Sequence, residues 1–336
     1  MNVAVIIPSY NEEKYIRVCV MSVVNSDYKE GALEIYIVDG ESTDQTQAIV
    51  AEISAQHPNV KLVNNPQKVT PVALNLGLKA TNADVKIILG AHSEVAPDFV
   101  SANVNVLRQQ ADAGCVGGVL ENVYETKMAE IIGKGMSSPF GVGNASFRTG
   151  AEDGFVDTVA FGAYRKEVFE QIGYFDEDLV RNQDDEYNYR VLSAGFKIYL
   201  SNSINVKYFV RGNYSKLWRQ YYQYGYWKVY VNKKVRAVTT IRQLFPSALV
   251  LFMVVGAGLA PLHGALLFFY ALGFDAYLIL AFVFAFKKCN GFKELFPIVL
   301  TFIILHFSYG IGYWKGILDF MILGKGPSSK SQEVTR

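Results

Sequence analysis

Three apolar stretches in the last third of the chain, roughly residues 244–262, 264–286 and 295–314, constrain the fold more than any other feature. Each approaches the length of about 20 apolar residues that crosses the hydrocarbon core of a bilayer. Between Leu244 and Leu323 the only charged residues are Asp275, Lys287, Lys288, Lys293, Glu294, Lys315 and Asp319. Buried helices of a soluble domain are the other reading, but runs this close together leave too little polar surface for one. The first two runs meet at a short turn around residues 261–264, as in a helical hairpin. Lys233, Lys234, Arg236 and Arg242 precede the pair, and Lys287, Lys288 and Lys293 follow it. Both clusters then lie on one side, which the positive-inside rule makes cytoplasmic, together with everything before them. The third run leaves two options. Lys325, Lys330 and Arg336 follow it; an odd number of crossings exports them, whereas a re-entrant or interfacial "YWKGILDFMILGK" does not. Asp275, inside the second run, marks either a functional polar site or an irregular span.

The composition divides the 336 residues into an α/β domain over 1–240, a membrane domain with about three transmembrane or re-entrant helices over 241–323, and a polar flexible tail over 324–336. A formal net charge of +1 provides no global field for nucleic acid. Three scattered cysteines, none in a CxxC pair, fit a reducing compartment rather than a disulfide scaffold. The opening apolar run is short and lacks a basic leader, so it reads as a strand and not as a signal peptide.

Hydrophobic periodicity sets out the first domain. "VAVIIPSY", "LEIYIVDG", "VKLVNN" and "DVKIILGAH" read as strands, with helices between them over "NEEKYIRVCVMSVVNS", "STDQTQAIVAEISAQ" and "PVALNLGLKAT". Ser42 or Thr43 is the expected cap of the second helix. This βαβα order predicts a mostly parallel central sheet with ligands at the carboxyl ends of its strands. Those ends carry Ser9–Tyr10–Asn11–Glu12, Asp39 and His92–Ser93–Glu94. No GxGxxG follows the first strand and no GxxxxGK[ST] occurs, which argues against a dinucleotide or P-loop enzyme.

In their order and spacing, "VIIPSYNEEKYI", "IYIVDGESTDQT" and "ALNLGLKATNADVKIIL" resemble the nucleotide-binding half of the inverting family 2 glycosyltransferases, which have the GT-A fold. "GVGNASFR", the segment from "VDTVAFGAYRKE" to "NQDDEYNYRVLSAGFKIYLS", and "YYQYGYWK" resemble the bacterial exopolysaccharide branch typified by the succinoglycan glucosyltransferases. Together these segments cover about residues 2–235. The resemblance implies that Pro8, Tyr10 and Glu12 line the nucleotide pocket. It also implies that Asp39 receives the base or ribose, with Asp44 following in the same loop. Among Asp184, Asp185 and Glu186 it places the general base at Asp184, with Asp185 as the alternative. A carboxylate within hydrogen-bond reach of the acceptor hydroxyl has the chemistry for that role, and acids also favour a helix N-terminus for structural reasons. Arg190 closes this acidic motif and is expected near the acceptor. "RQYYQYGYWK" stands where processive synthases carry QxxRW. It keeps Gln220 but has Gln223 and Tyr224 at the other positions, so acceptor binding by Gln220, Tyr224 and Trp227 competes with membrane anchoring.

"GAH" at residues 90–92 occupies the slot of the family's DxD motif. The exopolysaccharide branch tends to show Asp-Ala-His there, so Gly90 is the departure. Residues two apart on a strand share a side, which predicts that His92 and Glu94 converge on one divalent cation. Imidazole plus carboxylate favours Mn²⁺ over Mg²⁺, which prefers oxygen ligands. The implied activity is inverting transfer of a sugar from a nucleotide donor, with UDP expected, to a polyprenyl-diphosphate-linked acceptor at the cytoplasmic face of the bacterial inner membrane. Polysaccharide assembly proteins are possible partners. The rival readings are a catalytically degenerate scaffold that binds nucleotide sugar within such an assembly, and a transport module with a cytoplasmic sensor.

Overall fold

The computed structural model describes residues 1–143, 146–150, 152–210 and 212–326; positions 327–336 of the expected tail lie outside the described residues. The chain divides into two compact units, Met1–Val123 with Ser146–Phe209, and Tyr124–Ala145 with Val210–Arg336. Residues 124–143 and 212–240 group with the apolar helices.

The first unit is built on a mixed sheet of nine strands: β1 Val3–Ser9, β2 Leu33–Asp39, β3 Val60–Asn64, β4 Val85–Ile88, β5 Ser93–Val95, β6 Ala113–Val123, β7 Gly154–Val156, β8 Ala160–Arg165 and β9 Lys197–Phe209. Their order is β3-β2-β1-β4-β8-β6-β9-β5, with β7 paired to β9. The first four strands are parallel, as the βαβα pattern predicts. Beyond β4 the neighbours pair antiparallel, except for β6 with β9. Val3 to Ile7 are fully buried, the continuous apolar run of a strand covered on both faces. Alternation divides their side chains between two cores. Val3, Val5 and Ile7 pack with Ile16, Val20 and Phe99; Ala4 and Ile6 pack with Leu74, Leu78 and Tyr187. Pro8 continues β1 opposite Val38 beyond the last residue paired to β4, where its missing N–H removes no rung of that ladder.

Among the described residues of the second unit, three helices are long and apolar enough to cross a membrane: Ile241–Leu262, Gly264–Phe286 and Phe292–Ile322. The first two expose large apolar side chains along most of their length, among them Val254, Leu262, Phe268, Phe269 and Ile279. The third is mostly covered. Its α-helical part, Phe292–Gly316, packs on the helix Tyr214–Val235 at nearly backbone distance. A methyl group added at Gly225 would lie 2.0 Å from the Tyr309 carbonyl oxygen, and one at Gly312 would lie 2.1 Å from that of Tyr222. Small residues admitting such an approach are a recurring device between membrane helices. The helix Lys127–Met136 joins the same bundle through Lys134, which donates to Glu294 at 2.6 Å. The helix Phe292–Gly316 runs on into a π-helical turn, Ile317–Ile322. There Asp319 is held by Lys315, Lys325 and the Tyr226 hydroxyl.

Candidate active site

Two loops leave the carboxyl ends of β1 and β2 and are joined by reciprocal hydrogen bonds. The Asn11 amide donates to Ser42 Oγ at 2.8 Å, and the Thr43 amide to Asn11 Oδ1 at 2.8 Å. The Glu12 amide donates to Thr46 Oγ1 at 2.8 Å. The Glu13 amide donates to Asp44 at 3.1 Å, and the Gln45 amide to Glu13 at 3.0 Å. Asn11 and Glu41 hold left-handed backbone, with φ of 52° and 55°. These contacts show why "SYNEE" and "ESTDQT" occur together: each supplies side-chain acceptors for the other's unpaired amides. Burial of Asp44 works against its charge, but bonds from the Thr46 side chain and from the Thr46 and Glu13 amides prevail and lower its pKa. The helix begins at Thr46, whose amide donates to Asp44. Asp44 therefore does the capping expected of Ser42 or Thr43.

Asp39 is 1% exposed. Its carboxylate accepts from Ser9 Oγ (3.1 Å), Ser42 Oγ (2.6 Å), the Ser42 amide (2.8 Å) and Gln47 Nε2 (2.7 Å). Its first task is to hold the loop. Tyr10 is half-buried, with its ring beside Gly40.

The three acids of "NQDDEY" have different environments. They occupy the first turn of the helix Gln183–Ser193 after Asn182, which is left-handed at φ 59°. Glu186 is buried and bound by Arg190 through both oxygens, at 2.7 and 3.0 Å. Arg190 also donates to the carbonyls of Ile172 and Tyr174, at 2.7 and 2.8 Å. Through those bonds Arg190, expected near the acceptor, ties this helix to the preceding turn. Asp184 is exposed and accepts from the Asp185 amide at 2.9 Å; Asp185 is half-buried. The helix is anchored by Tyr187, stacked on Phe175 at 4.2 Å, and by Asn188, which bonds Thr158 and Tyr164.

At the end of β4 the geometry departs from the expected metal pair. His92 lies in a turn, where strand alternation does not apply. Glu94 lies in β5 opposite Lys207, and the two are ion-paired at 3.1 Å. The carboxylate beside His92 is instead that of buried Glu12, 3.6 Å from Nδ1. Among the described residues no three His, Cys, Asp or Glu side chains form a metal cage. The His92 imidazole, its Nδ1 buried beside Glu12 and its side chain 20% exposed, has the chemistry to ligate a cation through its other nitrogen.

Gly90 is explained by its neighbour. A methyl group there would lie 2.8 Å from Cε1 of Phe161, a residue with left-handed backbone at φ 51°. The phenyl ring thus takes the room an aspartate side chain would need. The Gly90 carbonyl accepts from the Cys19 thiol at 3.4 Å, and burial pushes that thiol's pKa up to about 12. Tyr208 lies over His92 with ring centroids 5.0 Å apart, and Arg148 stands over Tyr208. Phe161, Tyr208, Arg148 and Gln47 were not marked by the sequence, because a bulky left-handed residue and long-range strand pairing leave no local signature.

In the second unit, Gln220 donates to the Tyr224 hydroxyl at 2.8 Å. Trp227, one of the residues expected at the acceptor, is fully buried near Tyr230 and Phe320.

A family model described as glycosyl transferase family 2 matches residues 4–173. A Methanococcus voltae protein named dolichyl N-acetyl-alpha-D-glucosaminyl phosphate 3-beta-D-2,3-diacetamido-2,3-dideoxy-beta-D-glucuronosyltransferase is 32% identical over 94% of this chain and 97% of its own length. The succinoglycan biosynthesis protein ExoA of Rhizobium meliloti is 26% identical over 94% of this chain and 95% of its own. Among solved structures, the mannosyltransferase PcManGT of Pyrobaculum calidifontis, in complex with GDP-Man and Mn²⁺, superposes with a TM-score of 0.63 at 18% identity. That match covers 92% of this chain and 86% of the other, a likeness of fold.

Proposed function

This chain belongs to glycosyl transferase family 2, and on that footing we propose that it moves one sugar from a UDP-sugar to a lipid-linked glycan acceptor, with inversion at the anomeric carbon. The observation that carries this reading is the length of the similarity. Both relatives align through the apolar helices as well as the sheet, and one of them is named for transfer to a dolichyl-phosphate-linked sugar. A nucleotide-sugar donor fits a site at the cytoplasmic face, and the basic clusters flanking the first two apolar helices support that orientation for the first unit. Succinoglycan assembly in the other relative's name supports a surface glycan as the product class.

The chemistry assigned to Asp184 is that of a general base. Its carboxylate takes the proton of the acceptor hydroxyl as that oxygen attacks the anomeric carbon. The bond from this carbon to the diphosphate oxygen breaks, and its electron pair leaves with the nucleotide. Exposure of Asp184 supports the assignment, because an incoming hydroxyl can reach it, whereas Glu186 is consumed by Arg190. Asp185 is the second choice. A divalent cation, Mn²⁺ by preference, offsets the charge of the departing diphosphate when bound; His92 is the residue that would hold it. Asp39 and Asp44 act through the loop pair that shapes the nucleotide pocket with Pro8, Tyr10 and Glu12.

The test is UDP release by the full chain in detergent, with a panel of UDP-sugars and a polyprenyl-linked acceptor. Asp184→Asn is expected to lower turnover by about 10²–10⁴-fold while still binding UDP. Unchanged turnover in that variant moves the base elsewhere. Nucleotide binding without turnover on any donor favours the scaffold reading.

A further inference from the structure

We infer that Glu12 is the positioning residue of the His92 imidazole, fixing its tautomer so that Nε2 faces the cation. The inference rests on the reading that His92 holds a divalent ion, and it gives Glu12 a task beyond lining the nucleotide pocket. Four observations carry it. The Nδ1 edge of His92 is withdrawn from solvent and has no hydrogen bond, and the carboxylate of Glu12 lies 3.6 Å from it. Glu12 is itself 6% exposed. Its backbone is fixed on both sides: its amide donates to Thr46 Oγ1, and its carbonyl accepts from the amides of Tyr15 and Ile16 at the head of the first helix. Tyr208 covers the imidazole at a centroid distance of 5.0 Å. The side chain still keeps 20% of its surface exposed, although Nδ1 is buried.

A histidine that ligates a metal through one nitrogen usually donates its other N–H to a carboxylate or carbonyl, which sets the tautomer and raises ligand basicity. Here Glu12 is the group placed to accept from Nδ1–H. At 3.6 Å the contact exceeds hydrogen-bond length. A cation held at Nε2 would make Nδ1–H more acidic and strengthen its bond to the carboxylate, a tightening typical of sites that complete only in the loaded state. Glu94, paired with Lys207 across the strands, cannot take this part.

Two measurements test this on the full chain in detergent. In the first, the protein is labelled with ¹⁵N-histidine and observed near pH 8; the chain has four histidines, and His92→Ala identifies the signal. The wild type is expected to carry its proton on Nδ1, Glu12→Gln to keep it there, and Glu12→Ala to lose it. A wild-type His92 with unprotonated Nδ1 overturns the inference whatever the variants do. In the second, Mn²⁺ binding in the presence of UDP is followed by electron paramagnetic resonance. Glu12→Ala is expected to weaken it by about 10–100-fold, a larger loss than the same variant causes in metal-free UDP binding. An equal loss of metal-free UDP binding makes Glu12 a nucleotide contact instead. Unchanged Mn²⁺ affinity in His92→Ala defeats the metal reading itself. A loss there without a loss in Glu12→Ala defeats only the role given to Glu12.

Discussion

At the head of the helix Gln183–Ser193, three neighbouring acids have different environments, and burial with partnering decides their roles. Glu186 is a buried charge whose counter-ion is Arg190. Removing one member of such a pair leaves an uncompensated charge and costs about 3–5 kcal/mol. Arg190→Ala is therefore expected to lower the thermal midpoint in detergent markedly. Arg190→Lys should restore little of it, since an ammonium cannot reproduce the fork that serves Glu186, Ile172 and Tyr174 together. A normal midpoint in Arg190→Ala would return this side chain to the acceptor. Asp44 gives a prediction in pH. Its folded-state pKa is depressed below the ordinary value of 3.8, so the stability it confers is complete above that value and is lost as pH falls through the folded one. Hydrogen exchange at the Glu13 and Thr46 amides should stay slow down to the ordinary carboxyl range and accelerate below it. In Asp44→Asn it should already be fast at neutral pH.

Among elements, the pair of loops after β1 and β2 and the pair of helices around Gly225 and Gly312 differ in how much of them could be read beforehand. The strands before the loops were legible because apolar runs punctuated by polar ends have a short period. Their bonding was not, since it joins residues about thirty positions apart, as Glu13 with Asp44. Likewise "SYGIGYWKG" carries small residues at Gly312 and Gly316, but nothing local says that the helix Tyr214–Val235 seats its Gly225 against Tyr309. The aromatic richness of that helix read equally as acceptor platform or interfacial belt, and in Trp227 it proved to be packing. Leucine at 225 must push two backbones apart, at a cost of about 3 kcal/mol or more. Gly225→Leu is expected to broaden or abolish the monodisperse detergent peak. Leucine at Gly258, where an added methyl group meets nothing within 4 Å, should leave it intact.

Across the whole molecule, what was readable is what repeats with a short period or is set by composition: the parallel strands, the apolar helices and the acidic turn. What was not readable depends on residues far apart in the chain. His92 meets Glu12, Glu94 meets Lys207 and Gly90 meets Phe161, each across a separation no local pattern spans. The helix contact at Gly225 carries a consequence for biosynthesis. The helix Tyr214–Val235 leaves the ribosome well before its partner Phe292–Gly316, with both exposed apolar helices translated between them. Its small-residue face must therefore wait, unpaired, until the last helix is made. Nascent chains stalled before residue 292 are accordingly the species a membrane quality-control protease should recognise, and the assembled bundle the one it should spare.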